Sequence, residues 1–248
     1  MNEDFKIIIL AIFDQNNFPN KAMTDIHGKP MIQHVYESAQ GSGASEIVIA
    51  TDSTRVGMTA EDFGATVCMI LDDNLAGISR LAEVADKMGW GDDTIVVNFP
   101  GDAPLTPSSI LQQVADNLRL QTDADCATLY SMVPYDIAEK ATTINLLVDS
   151  SEYVMYMSRR PIPHQVSDSY TISEYRCYIE INSYRVGLLR IYRNLPESEL
   201  DWAENIDELK LLYNGMKMHA AEANSLIGQR VTTIDDIDKV KIQIAPNR

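Results

Sequence analysis

Unbroken apolar runs alternate with stretches of helical period through the first half of the chain. The runs lie at 5–13, 46–51, 66–70 and 94–99, and the helical stretches at 31–41, 54–64, 77–88 and 107–121. In the first of these helices Met31, Ile32, Val35 and Ala39 share a face; in the third, Leu81, Val84 and Ala85 do. A strand that is apolar throughout is buried on both faces. The pattern therefore predicts an α/β fold: a mostly parallel, mixed sheet flanked by helices. Ligands on such sheets bind outside the carboxyl ends of the strands. The loops after the first, second and fourth strands are thus the places to look for chemistry.

The second half changes character. Strands are predicted at 126–134, 145–149 and 154–158, an antiparallel pair at 176–182 and 186–189, and a further strand at 218–223. A helix is predicted over 200–215, stopped by Gly215, and a last one over 233–243, with Asp235 and Asp236 in its first turn. The chain shows no repeat, low-complexity tract or long linker. Its 248 residues are read as one domain of two lobes, 1–124 with 229–248 and 125–228.

A formal net charge of −16, with no stripe of Lys and Arg, argues against nucleic acid and anionic membranes as partners. An anionic nucleotide is not excluded, but its site must be locally basic or hold metal. No apolar run approaches the roughly 20 residues that cross a bilayer. The start, Met1-Asn2-Glu3-Asp4, is acidic, unlike a secretory leader, so the reading is cytoplasmic. Cys68, Cys126 and Cys177 are widely spaced and form no zinc or disulfide pattern; they read as reduced, mostly buried thiols.

Several segments, in order, resemble the CMP-Kdo synthetases (3-deoxy-manno-octulosonate cytidylyltransferases). They are Asp25-Ile26-His27-Gly28-Lys29-Pro30-Met31, Ile49-Ala50-Thr51-Asp52, Arg80-Leu81-Ala82-Glu83-Val84, Gly101-Asp102-Ala103-Pro104 and Tyr156-Met157-Ser158-Arg159-Arg160-Pro161. The resemblance implies a GT-A-like nucleotide lobe, a smaller lobe that closes over a sugar acid and builds a homodimer, and CTP and Mg²⁺ as partners. In that chemistry a sugar hydroxyl attacks the α-phosphorus of CTP and pyrophosphate leaves. Catalysis is then mostly positioning and stabilisation of phosphate charge.

Carried over residue by residue, the resemblance implies Ala11, Lys21, Arg80 and Asp102 at the nucleotide, with Lys21 and Asp102 catalytic and Asp102 the metal ligand. It implies Ser158, Arg159, Arg176 and Asp207 at the sugar acid. The family's first loop, P-A-R-Y-x-S-x-R-x-P-G-K-P, is here Leu10-Ala11-Ile12 through Lys21-Ala22, so Ile12 and Asn17 stand where the family has arginines. Q-G-D-E-P is Pro100-Gly101-Asp102-Ala103-Pro104. In V-D-T-P-E-D, Thr232 stands for the second metal carboxylate. R-H-[LI]-G-[IV]-Y-x-Y becomes the segment 176–184, with one residue more, and in L-E-Q-L-R Asp207 and Glu208 replace the Glu and Gln.

Two uses of such a scaffold stay open on these residues. One is cytidylyl transfer from CTP, or another nucleotide, to a 3-deoxy sugar acid. The other is a binding or regulatory role without catalysis. With Lys21 the remaining cation of the aligned loop and Asp14 and Asp102 nearby, the charge balance predicts weak CTP and metal binding.

Overall fold

The computed structural model describes residues 4–12, 18–70, 77–166 and 172–244. The first half contains β1 (Phe5–Leu10), β2 (Asp25–Ile26), β3 (Lys29–Pro30), α1 (Met31–Ala39), β4 (Glu46–Thr51), α2 (Thr54–Asp62), β5 (Thr66–Met69), α3 (Ile78–Met88), β6 (Ile95–Pro100) and α4 (Ser108–Leu120). The second half contains β7 (Cys126–Val133), α5 (Tyr135–Ala138), β8 (Asn145–Val148), β9 (Val154–Ser158), β10 (Tyr175–Arg185), α6 (Val186–Tyr192), α7 (Glu199–Glu204), α8 (Glu208–Tyr213), β11 (Met218–Glu222) and α9 (Asp236–Ile244).

Among the described residues one main sheet runs β11-β7-β10-β6-β1-β4-β5, with β8 joined to β10 and β9 to β8. The pairs β1–β4, β1–β6, β4–β5 and β7–β11 are parallel, while β10 is antiparallel to both β6 and β7. Burial explains the apolar runs. Ile7, Ile8 and Ile9 are fully buried although they alternate faces. Ile8 packs with Leu81, Val84 and Leu189 on one side, whereas Ile7 and Ile9 pack with Ile32, Val35, Ile110 and Val114 on the other. Each such side chain contributes roughly 1.5–3 kcal/mol.

Three expectations need correction. The predicted strand at 186–189 is helix α6, and β10 is one long strand; short apolar runs carry no period that separates the two states. Val186, Leu188 and Leu189 are buried from a helix instead. The predicted helix over 200–215 is two helices, because Asn205 adopts a left-handed φ of 52° and the chain turns at Asp207. The last helix begins at Asp236. The Asp236 carboxylate ties down the turn just before it, accepting from Thr232 N (3.1 Å) and Thr233 N (2.9 Å).

A bulge in β10 shapes the functional face. Its register against β7 shifts between Ile179 and Asn182, and the buried Thr128 hydroxyl donates to the freed carbonyls of Ile179 (3.2 Å) and Ile181 (3.4 Å). The segment that holds one residue more than the family pattern is the one that bulges. No helix of the described residues is long and apolar enough to cross a membrane.

Candidate functional site

A cleft opens where the carboxyl ends of β1 and β6 meet the bulged part of β10. At its floor the chain passes Gly101 very close to β1. Gly101 N donates to the Leu10 carbonyl at 3.0 Å. A Cβ at Gly101 would lie 2.5 Å from that same oxygen, so the approach requires glycine. Ala11 is tied to β4 in turn: its N–H donates to Ala50 O at 2.9 Å and its carbonyl accepts from Thr51 Oγ1 at 2.7 Å. These contacts place Asp102 at the cleft, only 6% exposed.

Asp102 is held between two cations. Lys21 Nζ donates to its Oδ2 at 2.6 Å, and Arg230 donates through Nε and Nη2 to its Oδ1, both at 2.9 Å. The third corner of Arg230 pairs with Glu180. The part of the cleft nearest β1 encloses about 240 Å³ and is lined by Ala11, Ile12, Lys21, Arg80, Asp102 and Arg230, among others. The adjoining part, about 390 Å³, is lined by Arg159, Tyr178, Glu180, Asn182, Asp207 and Glu208, with Asn98 and Arg230 common to both.

The second part is rich in acceptors. Glu208 is buried and carries no cation partner in the described structure; it accepts from Tyr178 Oη (2.9 Å), Asn182 Nδ2 (2.9 Å) and Tyr184 Oη (3.2 Å). Burial, then the charge of Asp207, push its carboxyl above the ordinary range, against the pull of the tyrosine hydrogen bonds. Burial raises Asp207 too, opposed by the N–H of Ile78. Asn98 and Asn182 are partners across the β6–β10 ladder, and the Oδ1 of each is buried without a hydrogen bond among the described residues.

The residues singled out by resemblance are thus distributed unevenly. Ala11, Lys21, Arg80 and Asp102 come together in the first part. Arg159 and Asp207 reach the second. Ser158 and Arg159 clamp the turn between α7 and α8: Ser158 Oγ donates to Glu204 Oε1 (2.7 Å), Arg159 N to Glu204 Oε2 (2.8 Å) and Arg159 Nε to the Glu204 carbonyl (2.7 Å). Arg176 instead lies over the Tyr130 ring, 5.3 Å from its centroid, and does not line either part. Asn17 and Asp14 fall outside the described residues. Ile12 lines the cleft and packs against the core. The position of Arg230 was not read from the sequence. The available signal was an arginine directly before Val231, at the edge of the segment aligned to the second metal carboxylate.

The magnesium ion implied by resemblance would be held at Asp102, and the residues present do not fit it. Both oxygens of Asp102 are ion-paired. Thr232 stands for the second carboxylate, and its hydroxyl donates to Asp236 Oδ2 at 3.1 Å. Asp236 resists burial to stay charged well below the usual carboxylate range, through the Thr233 N–H and hydroxyl, Lys239 and Thr232. Among the described residues no group of three or more His, Cys, Asp or Glu could hold a metal ion.

A cytidylyltransferase family profile matches residues 6–218. The chain is 37% identical over 245 residues to a 3-deoxy-manno-octulosonate cytidylyltransferase of Coxiella burnetii, covering 96% of this chain and 98% of that one. It is 38% identical over 259 residues to the protein of the same name from Haemophilus influenzae, covering 98% and 99%. A solved CMP:2-keto-3-deoxy-manno-octonic acid synthetase complexed with CTP superposes with a TM-score of 0.90 at 32% identity, covering 98% of each chain. With the sheet order and the cleft at its carboxyl edge, these likenesses leave one assignment: the chain is an enzyme of the nucleotidyltransferase class and belongs to the CMP-Kdo synthetase family of cytidylyltransferases.

Proposed function

We propose that the protein transfers a cytidylyl group from CTP to a 3-deoxy sugar acid of the Kdo type, releasing pyrophosphate. The observation that carries this reading is the cluster of Lys21, Arg80, Asp102 and Arg230 at the carboxyl ends of β1 and β6, in a fold that superposes on a CTP complex with a TM-score of 0.90. The nucleotide phosphates take the first part of the cleft, beside Lys21 and Arg80. The sugar acid takes the second, against Arg159, Asp207 and the donors and acceptors of β10. The sugar hydroxyl oxygen bonds to the α-phosphorus, the bond from that phosphorus to the bridging oxygen breaks with its electron pair leaving on pyrophosphate, and the hydroxyl proton passes to water. In this reading Ser158 and Arg176 position the site rather than touch substrate. The working unit is a homodimer in the cytoplasm.

A non-catalytic binding role is the competing reading. It is favoured by Ile12, which stands where the family has an arginine and packs against the core cluster of the sheet. One assay separates the two. Protein mixed with CTP and Kdo is followed for pyrophosphate release, with and without Mg²⁺, and for CMP-Kdo by mass. Turnover is expected, and Lys21→Met should weaken CTP binding at least about tenfold, the loss of one charge-assisted contact. CTP binding without any pyrophosphate, over a panel of 3-deoxy sugar acids, would establish the binding role instead.

A further inference from the structure

We infer that Arg230, together with Lys21, stands in for a protein-held divalent cation at Asp102, so that this site receives nucleotide phosphates on side-chain cations. The inference rests on the nucleotide reading above and goes beyond it in saying how the phosphate charge is met.

The first ground is occupancy. A carboxylate that binds a metal must offer it an oxygen. Here Oδ2 faces the Lys21 ammonium at 2.6 Å and Oδ1 faces the Arg230 guanidinium at 2.9 Å. A dication entering at either oxygen would meet one of these two positive charges at contact distance, where repulsion is strongest. The second ground is the missing partner carboxylate. Arg230 and Thr232 flank Val231, whose N–H donates to the Asp102 carbonyl at 2.9 Å, so the strand of chain that brings a neutral residue to the position of a carboxylate also brings a guanidinium to Asp102. The nearby acidic groups are already committed: Asp236 to the turn of Thr232 and Thr233, and Glu180 to Arg230.

The third ground is chemistry and place. A guanidinium carries five N–H donors in a plane; with Nε and Nη2 on Asp102 and Nη1 on Glu180, the second N–H of each Nη is left for phosphate oxygens, and the charge holds at any working pH. Arginine and lysine clamps serve transferring phosphoryl groups in the same capacity as metal ions. Arg230 also borders both parts of the cleft. Among the described residues that line the two parts it is the cation common to both, placed to touch the phosphates from one side and the attacking sugar acid from the other. Asp102 then acts as the fixed counter-charge that holds the two cations apart and aimed, a positioning residue.

The test is calorimetric titration of the full chain with CTP in EDTA and again in Mg²⁺, with Mn²⁺ alone followed by electron paramagnetic resonance. CTP is expected to bind in EDTA within about threefold of its affinity in Mg²⁺, and Mn²⁺ alone should not bind at micromolar concentration. Arg230→Ala should weaken CTP in EDTA at least about tenfold, and Arg230→Lys should weaken it less, since the charge stays and the fork is lost. Should Arg230→Ala not fold, the wild-type comparison and the Mn²⁺ titration decide the matter. CTP binding that requires Mg²⁺, stoichiometric Mn²⁺ uptake at micromolar concentration, or an Arg230→Ala variant that binds CTP in EDTA like wild type would each overturn the inference. No CTP binding in either condition would overturn the nucleotide reading itself, and the inference with it.

Discussion

Glu208 shows what one changed side chain does to a buried site. An amide at this position would sit among Tyr178, Asn182 and Tyr184 without bringing a charge; the carboxylate brings one that only neutral donors oppose. Because burial raises its folded pKa above the ordinary 4.5, the folded protein binds the proton more tightly than the unfolded chain. The stability contributed by this group is therefore full at acid pH and is lost as pH rises through the folded value. Glu208→Gln should remove that loss: the melting temperature of the variant should gain on wild type as pH is raised from about 4 to about 7, starting near the unperturbed glutamate value. Parallel melting curves across that range would refute the assignment. Gly101 is the other residue with a sharp prediction. Gly101→Ala should cost about 1–3 kcal/mol in a denaturant melt, as overpacking does, because the new methyl would lie 2.5 Å from the Leu10 carbonyl. Lys21, Arg80 and Asp102 were legible because each sits in a segment that aligns to a family motif: Lys21 in the loop after β1, Arg80 in the first turn of α3 and Asp102 just past β6. Arg230 was not, since its pairing with Asp102 spans 128 positions and no local pattern records it.

At the scale of elements, the turn before α8 reaches back to the start of α3. Asp207 accepts a hydrogen bond from the Ile78 N–H, and Gly77 is the residue that makes room for it: Gly77 has a φ of +49°, and a Cβ there would overlap the Asp207 carboxylate. Asp207 is thereby a cap supplied from a distant segment for the helix that carries Arg80 into the cleft. Asp207→Ala should cost about 1 kcal/mol, the usual value of a lost cap. It should also speed hydrogen exchange at the first amides of α3; unchanged exchange there would rule the cap out. The parallel half of the sheet was readable from its apolar runs because burial on both faces leaves a continuous signature. The break at Asn205 and the helical state of 186–192 were not. Both are decided by tertiary contacts, such as the donation of Gly187 N to Asp92 O at 2.9 Å, and periodicity over a few residues does not report them.

For the whole molecule, one end of the sheet is β9, which pairs with β8 on one side only among the described strands, apart from the bridge of the preceding Tyr153 to His219 of β11. An edge strand with unpaired backbone groups is a template for another chain unless charge or shape blocks it. Met155 on β9 is 65% exposed, and the strand carries no charged side chain between Val154 and Ser158. We propose this edge as the surface of the homodimer. The net charge of −16 on each copy opposes association over long range, and salt screens that repulsion, with a Debye length of about 8 Å at physiological ionic strength. Light scattering at micromolar concentration should therefore give twice the 27.7 kDa chain mass, with the dimer strengthening as salt is raised. Met155→Glu places a like charge on both copies at the apolar edge and should shift the population to monomer while the circular dichroism spectrum stays unchanged. A wild-type monomer at all salt concentrations would exclude the dimer. A dimer that ignores Met155→Glu would move the interface away from β9.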